Sequence, residues 1–248
     1  MSVIWFNSVK PHNRFAPNLK VPIYTAKEGS TDLIAKLTKQ ILAYENQITT
    51  EKLVSEVPKG SDDPYAWTQH WKQHSLFWDK NVKGGDQLER FEMTPELEKF
   101  FHIIRKNYLL FLKELNYPRV KIYIHGWANV LRKGEWISLH HHMADETAYL
   151  SGTYYLTTND TSLKLKSPIR TDQIEEFCTK AGSMIVFPSY IPHESSVYNG
   201  DDLRISIAYD LSMESNTLSN PWRPHHLFDD PDTMEGYDMY LKDRSLTA

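Results

Sequence analysis

Between Leu115 and Val120 the apolar residues of this chain change their period, and no other feature limits its fold as strongly. Upstream, Leu97, Phe100, Phe101, Ile104, Tyr108, Phe111, Leu112 and Leu115 recur at helical spacing and form one wide stripe. Thr94 is a capping residue, Pro95 suits the first helical position, and Glu96 and Glu98 complement the positive end of the helix dipole. Asn116–Tyr117–Pro118 ends the helix. Downstream, Val120, Ile122 and Ile124 alternate with Lys121 and Tyr123, which is the period of a strand. Strand-like segments follow at 127–131, 136–142, 148–156, 163–166, 184–188 and 203–211, separated by Gly, Pro and Asp turns. An amphipathic helix followed by many short strands predicts a mainly β protein with flanking α, a jelly roll or barrel with N-terminal helices packed on its outside.

The rest of the chain is arranged around that core. Residues 1–29 contain Pro11, Pro17 and Pro22 and read as an extended lead-in with an edge strand. Ser30, Thr31 and Asp32 are capping residues for a helix carrying Leu33, Ile34, Leu37, Ile41 and Tyr44. Between two turn-rich stretches lie Tyr65, Trp67, Trp71, Phe77 and Trp78, read as core or as substrate wall; His70 and His74 among them read as surface or packing residues. We divide the chain into a single domain over 1–211, with an α-rich support over 1–119 and the β core over 120–211. Residues 212–248 read as a packed arm, a lid or a frayed tail, with His225 and His226 as surface residues.

Bulk properties exclude several classes. A formal net charge of -4 supplies no overall basic footprint and argues against nucleic acid as a partner. Cys178 is the single cysteine, so no intrachain disulfide forms; it is expected to be buried or half-buried in a strand, and cytoplasm is the expected compartment. No apolar run approaches the ~20 residues of a membrane span, and the first residues lack the long apolar middle of a signal peptide.

The chemistry concentrates in two stretches, Gly126–Leu156 and Gly182–Leu211. Along a strand, residues i and i+2 share a face, so His140 and His142 aim together while His141 aims away. His193, after a strand ending in Phe187–Pro188, is the candidate third ligand of one metal. On the next strand Arg204, Ser206 and Ala208 share one face, and Leu203, Ile205, Ile207 and Tyr209 the other. An arginine turned into a barrel is a buried charge in need of a partner. A carboxylate gripped by its planar fork, with the Ser206 hydroxyl beside it, supplies one.

At these residues the chain resembles the iron(II)- and 2-oxoglutarate-dependent oxygenases, in particular the small prolyl-4-hydroxylase-like group of bacteria and phages. The resemblance rests on Trp127–Ala–Asn129–Val with Gly134, His140–His–His142, Ser151–Gly–Thr–Tyr154–Tyr155, Phe187–Pro–Ser–Tyr–Ile–Pro–His193 and Arg204–Ile–Ser206–Ile–Ala208, and it spans roughly 120–211. It implies a double-stranded β-helix holding Fe(II) in its mouth, with 2-oxoglutarate as cosubstrate and Arg204 and Ser206 on its distal carboxylate. Oxygen is consumed, succinate and CO2 are released, and an amino-acid residue of a peptide or a small molecule is hydroxylated. Tyr155 and Asn129 are candidates for cosubstrate or substrate contacts, with core packing as the other reading of Tyr155; Tyr190 and His141 read as rim.

The chain departs from that family at position 142, where the usual two-histidine-one-carboxylate triad has its acid. Three arrangements are open: His142 is itself a ligand, Asp145 or Glu146 supplies the anion, or His142 stands behind the ligands. Three neutral imidazoles leave the site one charge more positive than the usual triad. A reading from another class is a cupin-type metal protein that does not use 2-oxoglutarate, such as a thiol dioxygenase, an isomerase or a sugar-binding module. Arg204 and Ser206 are what it leaves unexplained.

Overall fold

Thr94 and Ser30 start the two described helices as the sequence predicts. The Thr94 hydroxyl accepts from the Leu97 amide at 3.3 Å, and that of Ser30 from the Leu33 amide at 3.2 Å. The computed structural model describes residues 2–7, 14–15, 20–50, 76–77, 93–143, 146–169, 172–213 and 226–232. In chain order the described elements are β1 (Ser2–Asn7), β2 (Lys20–Lys27), α1 (Thr31–Thr50), α2 (Pro95–Glu114), β3 (Ile122–Leu131), β4 (Ala148–Tyr155), β5 (Ser162–Lys166), β6 (Ile174–Cys178), β7 (Ser183–Pro188), β8 (His193–Ser195), β9 (Arg204–Ser212) and β10 (His226–Asp229). Asn116, at a φ of 51°, takes the left-handed conformation that turns the chain out of α2, a position asparagine tolerates.

The strands form a seven-stranded sheet, β1-β2-β7-β4-β9-β3-β10, and a three-stranded sheet, β6-β5-β8. The pairings are antiparallel throughout. Two facing antiparallel sheets with helices on one outer side are the mainly β jelly roll expected from the change of period. Residues 122–131 form one strand rather than two, and the Phe77 ring lies against Gly126 in the space a Cβ would need. Both N-terminal strands join the large sheet, with β1 at its edge and Pro22 opposite Trp5.

Strand alternation divides the molecule into two apolar layers. Ile122, Ile124, Ala128 and Val130 of β3, with Ile205, Ile207, Tyr209 and Leu211 of β9, face α1 and α2 and pack against Leu37, Phe100, Ile104 and Phe111. Gly152 belongs to this outer face. The Tyr209 ring lies against it in the space a Cβ would need. A second cluster lies between the sheets: Phe6, Val21, Ile23, Tyr155, Leu163, Leu165, Ile185, Phe187 and Ile191.

Two expectations are revised. The predicted strand 136–142 is extended but forms no ladder. It touches β8 through the His140–His193 bridge and through Ile137 and Ser195, whose amide donates to the Ile137 carbonyl at 2.8 Å. Its neighbour β8 is three residues long and follows Pro192, which has no N–H to donate, so a continuous ladder has no template. Cys178 is exposed rather than buried, because it ends β6, the edge strand of the small sheet. Past β9 the chain returns to the large sheet. β10 pairs with β3, Phe228 enters the core, and the buried Asp229 carboxylate takes the guanidinium groups of Arg119 (2.6 Å) and Arg105 (3.1 Å). Phe77 is core, whereas Tyr65, Trp67, His70, Trp71, His74, Trp78 and His225 lie outside the described residues. None of the described helices is long and apolar enough to cross a membrane.

Candidate metal centre

Strand register brings the inward-facing residues into rows. Across β3, β9, β4 and β7 the first row is His125, Asp210, Ser151 and Phe187; the next is Trp127, Ala208, Thr153 and Ile185. A third row holds Asn129, Ser206 and Tyr155. With the extended segment at 137–143 and with β8, the inward side chains bound a cavity of about 560 Å³. Its lining includes His140, His142, His193, Arg204, Ser206, Tyr155 and Asn129 but not Glu146; Asp145 lies outside the described residues.

At one end of the cavity His140, His142 and His193 converge, with one ring nitrogen of each within 4.8 Å of the others. Ring centroids are 4.2 Å apart for His140 and His193, and 4.9 Å for each of the other two pairs. The hydrogen bonds decide the tautomers. His140 Nδ1 lies 2.7 Å from the Ser138 carbonyl and His193 Nδ1 lies 3.0 Å from the Ile191 carbonyl. A carbonyl oxygen only accepts, so both rings carry their proton on Nδ1, and their lone pair sits on Nε2. His142 Nδ1 lies 2.5 Å from Asp210 Oδ1. The Asp210 carboxyl would be raised by burial, but His142, the Ser151 hydroxyl and His125 outweigh this and bring it down to about 2, so it too is an acceptor. His142 Nε2 is buried without a hydrogen-bond partner. Three clustered imidazoles, each with its Nδ1–H tied to an oxygen and its Nε2 left as the donor atom, fit the donor set and outer shell of a histidine-ligated metal.

Burial, reinforced by the neighbouring His142 and His140, pushes the His193 imidazole well below its usual range, which keeps it neutral and able to ligate. Phe187 packs 4.9 Å from the His193 ring and Trp127 lies 5.4 Å from that of His142, screening both from water. Among the described residues the cluster contains no carboxylate, and Glu146 is exposed away from it.

Arg204 is 2% exposed, turned inward as the alternation of β9 requires. Its Nε donates to Thr161 Oγ1 at 3.0 Å, its guanidinium carbon lies 5.6 Å from the Tyr155 ring, and its Nη1 has no partner. Burial lowers its pKa, offset in part by Tyr155. Burial also raises the Tyr155 phenol, which therefore stays a donor. Ser206 is 1% exposed, and Asn129 is 4% exposed with an unpartnered Oδ1. Tyr155 thus belongs both to the inner apolar cluster and to the cavity wall. His141 and Tyr190 are exposed at the rim.

Sequence reasoning missed Asp210, Ser151, His125 and Thr161. The alternation that turns Arg204, Ser206 and Ala208 inward reaches Asp210 one step later, and this was the available signal. For Thr161, in a turn ahead of β5, there was none.

A jelly roll carrying three convergent histidines and a buried arginine in one cavity defines a protein with a candidate metal centre in the mouth of its barrel. The sequence matches no family model and no curated protein. Among solved structures the fold is shared with the non-heme monooxygenase ThoJ in its nickel complex. The two are 9% identical, with a TM-score of 0.51, over 90% of this chain and 93% of ThoJ. More distant similarity is found to a Pseudomonas putida prolyl-4-hydroxylase (14% identity, TM-score 0.48, 77% of this chain and 88% of that one). AviO1 from Streptomyces viridochromogenes Tue57 is comparable (14% identity, TM-score 0.49, 77% and 89%).

Proposed function

We propose that this chain is an Fe(II)- and 2-oxoglutarate-dependent dioxygenase of the cytoplasm. On this reading it hydroxylates an amino-acid residue of a peptide or a small molecule, consuming O2 and releasing succinate and CO2. One observation carries the reading: a buried guanidinium nitrogen without a partner in the same cavity as three imidazoles that each bring a ring nitrogen within 4.8 Å of the others. A cupin-type metal protein accounts for the histidines but leaves the buried Arg204 charge without a function.

His140, His142 and His193 would hold the metal through their imidazoles, and Fe(II) suits such a donor set. Arg204 takes the distal carboxylate of 2-oxoglutarate through its fork, with Ser206 and the Tyr155 phenol as further donors. Asn129, two positions from Trp127 on the same strand face, offers its unpartnered Oδ1 to a donor on cosubstrate or substrate. Iron and 2-oxoglutarate together supply the oxidising power, and the chain supplies orientation and the exclusion of water. Trp127, Phe187 and Leu163 are the apolar walls that exclude it.

The test is anaerobic addition of Fe(II) and then 2-oxoglutarate to the metal-free protein. A weak visible charge-transfer band that requires both additions is expected. Metal binding with no such band would refute the use of 2-oxoglutarate. Succinate release across a panel of amino acids, peptides and small molecules then identifies the substrate.

A further inference from the structure

The three histidines are not equivalent. His140 and His193 donate their Nδ1 protons to backbone carbonyls, which are neutral; His142 donates to a carboxylate, Asp210, at 2.5 Å. Asp210 is itself held in place. Its Oδ1 accepts from the Ser151 hydroxyl at 2.7 Å, and register sets it between His125 on β3 and Ser151 on β4. The backbone of His142 is tied as well, its amide donating to the Ser189 carbonyl at 2.9 Å. Asp210 comes from β9, 68 residues beyond His142 in the chain. It is not a member of the convergent ligand set.

We propose that Asp210 is a positioning residue: it holds His142 as the Nδ1-protonated tautomer and supplies, one hydrogen bond away from the ion, the negative charge that a carboxylate at position 142 would supply directly. The inference deepens the proposed function and rests on its metal-binding reading. A carboxylate behind a ligating imidazole fixes the ring's orientation and raises its basicity. It also restores the charge of the site. A divalent ion with three neutral imidazoles carries one more positive charge than with the two-histidine-one-carboxylate triad, and an ionised Asp210 in contact with His142 cancels that excess.

The test uses Co(II) as probe, titrated into the full-length metal-free chain in competition with a chromophoric chelator. Four proteins are compared: wild type, Asp210→Asn, His142→Ala and the double variant. Asparagine keeps an oxygen able to accept from both His142 and Ser151, so the single change removes the charge alone. Asp210→Asn is expected to weaken Co(II) binding roughly 10- to 100-fold when His142 is present. In the His142→Ala background the same change is expected to have an effect of no more than about twofold. In the metal-free wild type the His142 Nδ1 proton is expected far downfield by NMR, and Asp210→Asn should move it upfield. Equal losses in both backgrounds, or no loss in either, overturn the role of Asp210 while wild-type Co(II) binding leaves the metal site standing. A wild type that binds no Co(II) overturns both. Should Asp210→Asn not fold, Ser151→Ala, which removes one of the two bonds to the carboxylate, carries the same comparison with a smaller expected loss.

Discussion

Replacing Arg204 by methionine removes a buried charge while keeping most of the side-chain volume. In the ligand-free protein this charge is met by a hydrogen bond from Nε to Thr161 and by the Tyr155 phenol, and its Nη1 has no partner. The Thr161 hydroxyl is not stranded by the change, since it also lies 2.9 Å from that of Thr179. Exchanging buried ionic groups for apolar ones of similar size is often neutral or stabilising, so the ligand-free variant should unfold no earlier than wild type. Binding of 2-oxoglutarate should behave in the opposite way. Truncating one member of a buried, hydrogen-bonded charge pair costs about 2–5 kcal/mol, and a loss of about 3 kcal/mol is about 150-fold in Kd. Thermal unfolding of the Mn(II)-loaded protein reads this directly. At 2-oxoglutarate about 100 times the wild-type Kd, the wild type gains about 2.7 kcal/mol, a rise in Tm of about 5–10 °C for a chain of this size. At the same concentration the variant should gain only about 0.3 kcal/mol, or about 1 °C. A ligand-dependent shift that survives in Arg204→Met would refute the assignment of the distal carboxylate. A ligand-free variant destabilised by more than about 2 kcal/mol would show that Arg204 serves the fold instead.

Further outcomes follow from individual contacts. Because burial and the neighbouring imidazoles push His193 well below its usual 6.5, the unfolded chain takes up a proton there that the folded chain refuses; stability from this group is complete above pH 6.5 and is lost as the pH falls toward the folded value. The urea midpoint of the metal-free protein should therefore fall on acidification, and His193→Gln should reduce the slope; identical pH profiles for the two proteins would contradict the shift. Gly152→Ala forces a methyl group into the Tyr209 ring and should lower stability by about 1–3 kcal/mol in chemical denaturation, and an unchanged midpoint would mean the ring moves without strain. Asp229→Ala leaves Arg105 and Arg119 without their shared carboxylate and removes the ion pairs that tie β10 to α2 and to the segment ahead of β3. A loss of about 3–5 kcal/mol is expected, and a cost below about 1 kcal/mol would show that β10 is not anchored there.

The fold and much of the site were legible because their signals are periodic. Eight apolar residues at helical spacing between Thr94 and Asn116 can bury a common face only as a helix, and α2 spans Pro95–Glu114 with Thr94 as its cap. Strict alternation in β9 turned Arg204 and Ser206 inward and Ile205 and Ile207 toward the helices, whatever strand lay alongside. The segment around His140 and His142 misled only in detail. Its extended backbone turns both rings toward His193, but a three-residue neighbour after a proline cannot continue the ladder.

What the chain determined by itself was the direction in which each side chain points within its own element, because that follows from local backbone geometry and the separation of apolar from polar residues. Tertiary structure alone decided which inward-facing residues meet. The pairing of β9 with β3 and β4 is a register between strands distant in sequence, and it sets Asp210 behind His142, Ser151 beside Asp210 and Thr161 under the Arg204 guanidinium. A shift of that register by one residue would send the entire inward row to the helix side, so the placement of Arg204 and Asp210 at the candidate metal centre is a property of the assembled sheet and not of any one segment.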